Sequence, residues 1–287
     1  MRIANVGGRA TLLDREGIGL DVEKASDGHF ASDPQSLFAD WDRFREWAGR
    51  TEGQGDLEVA DADLGAPVPH PGQVFAIGLN YAEHINESRM DRPPAPAVFT
   101  KFPSCISGPR DEISLPSTHC DWEVELVVAI GRRAYLVDEA RAWDHVAGLT
   151  VGQDLSERVV QLQGSVPQFS LGKSFLGFAP LGPALVTTDE VDDPEDLEIG
   201  CRLDDEVMQL GNTRDLIFGV AELIAKLSAV CPLLPGDIIF TGTPSGVGVA
   251  RDPQRFIPPG SVLTSHVAGL GELRNSFVAG PTFDPAA

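Results

Sequence analysis

Two glutamates spaced two apart, Glu123 and Glu125, lie inside the run "DWEVELVVAIG", Asp121 to Gly131. The run reads as a strand, and strand side chains alternate between faces. Trp122, Val124, Leu126, Val128 and Ile130 share one face; Glu123 and Glu125 share the other with Val127 and Ala129. Adjacent carboxylates repel, and burying them without a cation is costly. A hard divalent cation, which takes oxygen ligands, resolves that conflict. Asp154, in "GLTVGQDLSER", ends another apolar run and adds a third carboxylate. A solvent-facing sheet edge accounts for the same alternation without a metal, so both readings stand on the pattern alone.

His84 and Glu87, three apart in "GLNYAEHINES", share one face if that segment is helical. A carboxylate beside an imidazole orients it and raises its basicity, which makes a general base. A surface histidine with a nearby acid gives the same spacing. Lys173, in "FSLGKSFLGFAPLGP", is either a snorkelling surface residue or a buried cation facing an anion. Arg158 and Gln161 follow Asp154 closely enough to reach a ligand carboxylate or carbonyl. "FTGTPSGVG", Phe240 to Gly248, superficially suggests a phosphate loop. It lacks the GK[ST] ending and no clear helix follows, which excludes nucleotide binding. Thr241 and Thr243 are then expected to offer hydroxyls or amides to a small anion.

The elements that must position these groups are mostly strands. Thirty Gly and 22 Pro in 287 residues imply many tight turns. "MRIANV", "ATLLD" and "GIGLDVEKA" read as short strands. "DPQSLFADWDRFREWAG" reads as a helix near 34–49, capped by Asp33 with Pro34 in its first turn and Leu37, Trp41, Phe44 and Trp47 on its core face. "GAPVPHPGQ" is a Pro-rich hinge, which divides the chain into a small N-terminal domain, 1–68, and a larger one, 69–287. Beyond it, strands are expected at "VFAIGLNY", "AVFTKF", "VAGLTVGQDLS", "LGPALVTTDEV", "LEIGCRLDDEVMQLG" and "DIIFTGTPSGVG". A turn or two of helix is expected over 82–88, an irregular loop at "RMDRPPAPA", and helices near 138–146 and over Ile217–Val230. The strands do not alternate regularly with helices, so a doubly wound parallel sheet is not expected. The fold class is α+β, predominantly β and largely antiparallel.

Composition sets outer bounds. Hydrophobic residues make up 42% and charged residues 23%, an ordinary globular balance. A formal net charge of -21 disfavours nucleic acid and anionic membranes as partners. It also repels an acidic substrate unless a local positive centre overcomes the field. Cys105, Cys120, Cys201 and Cys231 form no CxxC pair, which points to reduced thiols. No apolar run reaches the roughly 18 residues of a membrane helix, and "MRIANVGGRATLL" lacks the features of a signal peptide. A cytoplasmic protein is expected.

Five segments, "IGLNYAEH", "DWEVELVVAIG", "VAGLTVGQDLSER", "GKSFLGFAPLGP" and "LLPGDIIFTGTPSGVG", resemble the fumarylacetoacetate hydrolase family in order and spacing across about residues 70 to 280. The resemblance implies a mixed β-roll or sandwich, a small N-terminal β domain and a homodimer. It implies Mg2+ or Mn2+ on Glu123, Glu125 and Asp154. It makes Lys173 the active-site lysine and places His84 and Glu87 on a lid over the substrate. It gives Arg158, Gln161 and Thr243 contacts to substrate or support of the site. Glu83 and the variant "QDLSER" depart from the family pattern. So does Leu176, which stands where an acidic residue is common after "KSF"; it is expected to alter the orientation of Lys173 or the choice of substrate.

The activity expected from the resemblance is hydrolysis of a carbon–carbon bond in a small anionic β-diketo acid such as an acylpyruvate. His84, assisted by Glu87, deprotonates water; the metal and Lys173 stabilise the departing enolate. Decarboxylation of an oxaloacetate-like acid, double-bond isomerisation of a hydroxy-diene dioate, and a catalytically silent ligand-binding relative are the competing readings.

Overall fold

The computed structural model describes residues 1–51, 55–88 and 91–281. The main strands are β1 (Arg2–Val6), β2 (Arg9–Leu13), β3 (Ile18–Asp21), β4 (Val74–Gly78), β5 (Ala97–Thr100), β6 (Glu112–Leu115), β7 (Val124–Ile130), β8 (Val146–Gln153), β9 (Ala179–Val186), β10 (Glu198–Leu203), β11 (Glu206–Asn212), β12 (Ile238–Phe240), β13 (Val262–Val267) and β14 (Gly271–Ala279). The helices that matter to the site and its frame are α1 (Trp41–Ala48), α2 (Ala82–Ser88), α3 (Arg158–Gln161), α4 (Phe169–Gly172) and α5 (Val220–Ser228).

The larger sheet runs β3-β2-β1-β9-β8-β7-β12-β4-β5, and the second runs β11-β10-β13-β14-β6. Pairing is antiparallel except where β12 meets β4 and β14 meets β6 among these strands. One hydrophobic cluster draws Leu126 and Val151 from the larger sheet and Ile199, Leu263 and Leu273 from the second. The fold is α+β with mixed sheets, as expected.

Strand β7 is central, paired to β8 on one side and β12 on the other. All seven of its residues are buried. This removes the solvent-facing edge as an account of Glu125 and makes the cost of its charge real.

The N-terminal strands extend the larger sheet, with Arg2 opposite Val186 and Ala4 opposite Ala184. The predicted helix over 34–49 divides in two. Pro34–Asp40 winds as a 3-10 segment capped by Asp33, and only Trp41–Ala48 is α-helical. Trp41 packs where Gly131 leaves room; a Cβ there would lie 2.6 Å from the indole ring. "VEKA" is a short helix capped by Asp21 rather than the end of a strand. The segment near 138–146 is likewise 3-10, Glu139–His145. Of "RMDRPPAPA", Arg89 and Met90 lie outside the described residues, and 91–96 is irregular. No described helix is long and apolar enough to cross a membrane. All four cysteines are free.

Candidate active site

Each acidic side chain arrives from a different local geometry. Glu123 precedes β7, and its N–H donates to Gln153 Oε1. Glu125 lies within β7, and Asp154 directly follows β8. The antiparallel register sets Glu125 against Gly152, which brings the three acids to one end of the strand pair. One oxygen from each lies within 4.8 Å of the others, and all three residues are buried.

Three cations surround them. Lys173 Nζ lies 2.6 Å from Glu123 Oε2 and 2.7 Å from Asp154 Oδ2. Lys101 Nζ is 2.6 Å from Asp154 Oδ1. Arg158 Nη1 is 2.7 Å from Glu123 Oε1, while its Nη2 is 2.7 Å from Asp121 Oδ2. Burial alone would raise the pKa of Glu123, but Lys173 and Arg158 outweigh it and bring the value down to about 2. Lys173 and Arg158 are both raised, because neighbouring carboxylates outweigh burial.

Among the described residues Glu125 forms no ion pair. Burial first, then the charges of Asp154 and Glu123, push its carboxyl well above the usual range. Its Oε2 accepts the Gly242 N–H at 2.7 Å. With all four ionised, Asp121, Glu123, Glu125 and Asp154 exceed the three cations by one negative charge. A divalent cation reverses that sign. Three clustered, buried carboxylate ligands therefore fit a hard dication that prefers oxygen, such as Mg2+ or Mn2+.

Helix α2 carries His84 and Glu87 as the sequence spacing predicts. His84 Nδ1 is 2.7 Å from Glu87 Oε1, and the imidazole is buried. The other Glu87 oxygen accepts the Gly246 N–H at 2.8 Å. His84, Glu87, Glu123, Glu125, Lys173 and Arg158 line one cavity of about 570 Å3.

Gln161 and Thr243 line it too. Gln161 Oε1 accepts from Arg158 Nη1, which leaves its NH2 for a ligand. The Thr243 hydroxyl donates to the Val124 carbonyl and accepts from Gln209, a supporting arrangement.

Two sequence expectations change. The "FTGTPSGVG" loop does not hold its amides ready for an anion. Gly242, Gly246 and Gly248 donate to Glu125, Glu87 and Asp121 of this chain, and the Thr241 hydroxyl donates to Leu126 O. At Gly242 φ is +105°, a conformation that favours glycine. Leu176 does not act on Lys173: its side chain is 82% exposed, whereas the Lys173 ammonium is fixed by Glu123 and Asp154.

Two site residues escape the sequence reading. Lys101 is fully buried, and its ammonium also donates to the Lys173 carbonyl. Asp121 accepts from the N–H groups of Trp122, Gly248 and Val249 as well as from Arg158. A lysine in the apolar strand "AVFTKF" and a third acid in "DWEVE" were the available signals.

The buried His84–Glu87 pair thus opens on the same cavity as Glu123 and Glu125 of the carboxylate cluster. The family model for the fumarylacetoacetate (FAA) hydrolase C-terminal region matches residues 73–278. The oxaloacetate tautomerase FAHD2A, mitochondrial, of Bos taurus is 47% identical over 215 residues, covering 74% of this chain and 68% of the relative. Its Homo sapiens counterpart is 45% identical over the same length and shares. Among solved structures, maleylpyruvate hydrolase from Sphingobium sp. SYK-6, in complex with manganese (II) ion and pyruvate, superposes with a TM-score of 0.80 at 29% identity, covering 98% of this chain and all of that one. The chain belongs to the fumarylacetoacetate hydrolase family.

Proposed function

We propose that the protein is a divalent-metal-dependent enzyme that enolises a small 2-oxo acid, with keto–enol tautomerisation of an oxaloacetate-type substrate as its reaction. The observation that carries this reading is the Glu87-oriented imidazole of His84 in one cavity with Glu123 and Glu125, two of the three clustered carboxylates. The 47% identity to a protein named oxaloacetate tautomerase supports it.

Glu123, Glu125 and Asp154 would hold the Mg2+ or Mn2+ ion. When bound, the ion supplies positive charge that acidifies the proton beside the 2-oxo group. The chain's own residues do the rest. The Nδ1–H of His84 donates to Glu87, which leaves Nε2 to take the proton from C3 and deliver it to the C2 oxygen, and to run the same transfer in reverse. Lys173 places a fixed positive charge beside Glu123 and Asp154 and so favours negative charge on the substrate oxygens. The Gln161 amide binds and orients. Ile77, Phe99 and Phe169 wall the cavity with apolar surface and exclude water.

Carbon–carbon hydrolysis of a β-diketo acid is the second reading, with His84 taking its proton from water. The likeness to maleylpyruvate hydrolase supports it. A homodimer and a cytoplasmic setting go with either reading. Light scattering at twice the protomer mass tests the dimer.

The test incubates metal-loaded protein with oxaloacetate and with an acylpyruvate panel, with and without EDTA. Tautomerisation speeds the decay of the oxaloacetate enol absorbance without releasing pyruvate. Hydrolysis releases pyruvate from the acylpyruvates. His84→Ala should slow the active reaction roughly 10²–10⁴-fold. Protein that accelerates neither reaction sinks the proposal.

A further inference from the structure

Three cations line the cavity: Arg158, Lys173 and Arg251. The first two are already ion-paired to carboxylates of the chain. Arg251 forms no ion pair among the described residues. Its Nη2 donates to Met208 O at 2.8 Å, its Nε to Gly246 O at 3.3 Å, and its guanidinium carbon lies 5.7 Å from the Trp122 ring centroid. Two carbonyls and an aromatic face fix the side chain without cancelling its charge. Its Nη1 makes no hydrogen bond among the described residues.

The acids around it are otherwise engaged. Glu206, whose charge Arg251 feels, is ion-paired with Arg255. Glu87 is committed to His84 and Gly246. Asp252 also lines the cavity but is solvent-exposed. A guanidinium held rigid with an unused N–H edge is a carboxylate receptor. In a chain of net charge -21, it is also the local attraction that a dianion needs.

We propose that Arg251 binds the distal carboxylate of the substrate and so sets a preference for 2-oxo dicarboxylates over 2-oxo monocarboxylates. The 2-oxo acid end lies toward Glu123, Glu125 and Asp154, and the far carboxylate lies toward the loop that carries Arg251. This rests on the keto-acid reading above and adds to it the residue that reads the second carboxylate.

The test compares oxaloacetate with 2-oxobutyrate, in which a methyl group replaces the distal carboxylate. Exchange of the C3 hydrogens with deuterium, followed by NMR, reads both substrates on one scale. Arg251→Met should raise KM for oxaloacetate roughly 10–100-fold, the range for losing a charge-assisted hydrogen bond, with little change in kcat. It should leave 2-oxobutyrate exchange within about twofold, since the lost contact involves only the missing carboxylate. Arg251→Lys should fall between. Calorimetric affinity for oxalate, which offers only the 2-oxo acid end, should be unchanged in Arg251→Met and so shows the site intact. Equal losses on both substrates, or no loss on either, overturn the assignment of Arg251 alone. A wild-type enzyme that exchanges neither substrate overturns the keto-acid reading and this inference together.

Discussion

Lys101 and Lys173 grip opposite oxygens of one carboxylate. Lys101 Nζ is 2.6 Å from Asp154 Oδ1, and Lys173 Nζ is 2.7 Å from Oδ2. Lys101 also donates to the backbone carbonyl of Lys173, so one buried ammonium fixes both the acid and the lysine opposite it. Lys101→Met should break this arrangement. Loss of one partner from a buried pair costs about 3–5 kcal/mol, read as a lower denaturation midpoint. Mn2+ affinity, measured by titration calorimetry, should fall roughly 10–100-fold, as for groups that orient metal ligands. Unchanged Mn2+ affinity would mean that Asp154 keeps its position without Lys101.

Asp121 governs Arg158 in a similar way. Its carboxylate receives three backbone N–H groups and the guanidinium, all in the protein interior. Gly248 is what lets the loop come so close; a Cβ there would lie 2.7 Å from Asp121 Oδ1 and would collide with the Arg255 carbonyl. Asp121→Asn keeps the size but replaces one acceptor oxygen with a donor. At least one N–H loses its partner, which costs about 1–3 kcal/mol. Turnover should fall while Mn2+ affinity stays within about threefold, because Asp121 bonds none of the three clustered acids. A parallel loss of metal affinity would place Asp121 in the metal site itself.

Away from the site, Asp21 gives the fold an acid-sensitive contact. The Arg9 guanidinium, 2.7 Å away, holds the Asp21 carboxyl below the usual carboxylate range, against the opposing effect of burial. The pKa is depressed in the folded state, so the stabilisation is present above the unfolded value of about 3.9. It is lost as pH falls through the folded value. Arg9 is more than a third exposed, so solvent screening keeps the contribution small. The stability difference between wild type and Asp21→Asn should therefore shrink on acidification below about pH 4. A difference that persists at full strength in acid would assign the effect of Asp21 to helix capping instead.

How far the site could be read from sequence depended on chain separation. The carboxylate pair was legible because Glu123 and Glu125 stand two apart in a strand-like run, and His84–Glu87 because three residues make one helical face. Lys173 was read as a buried cation facing an anion, and it pairs with Glu123 and Asp154, but other partners of the acids were not legible. Lys101 meets Asp154 across 53 positions, and Gly242 meets Glu125 across 117; no local pattern marks such pairs. Arg158 was read as reaching for substrate, yet most of its donors serve Asp121, Glu123 and Gln161. In the fold, Asp33 marked its helix start correctly. The 3-10 winding of Pro34–Asp40 was not visible in the same apolar stripe. The pairing of β1 with β9, Arg2 opposite Val186, depends on packing of the whole sheet rather than on either segment.

Leu176 shows how position within a turn overrides proximity in sequence. It lies three residues beyond Lys173, and its departure from the family pattern suggested an altered lysine. The chain instead turns outward at 174–177, with Gly177 at φ +82°, and leaves Leu176 82% exposed. The lysine is oriented by Glu123, Asp154 and the Lys101 contact to its carbonyl, none of which involves residue 176. Leu176→Asp should therefore leave kcat/KM and Mn2+ affinity within about twofold, and stability within about 0.5 kcal/mol, as for surface changes that disturb no special feature. Steady-state kinetics, metal titration and thermal unfolding of the one variant check all three. A tenfold loss of kcat/KM with an unaltered melting temperature would show that position 176 does reach the reaction, through a contact that the protomer alone does not make.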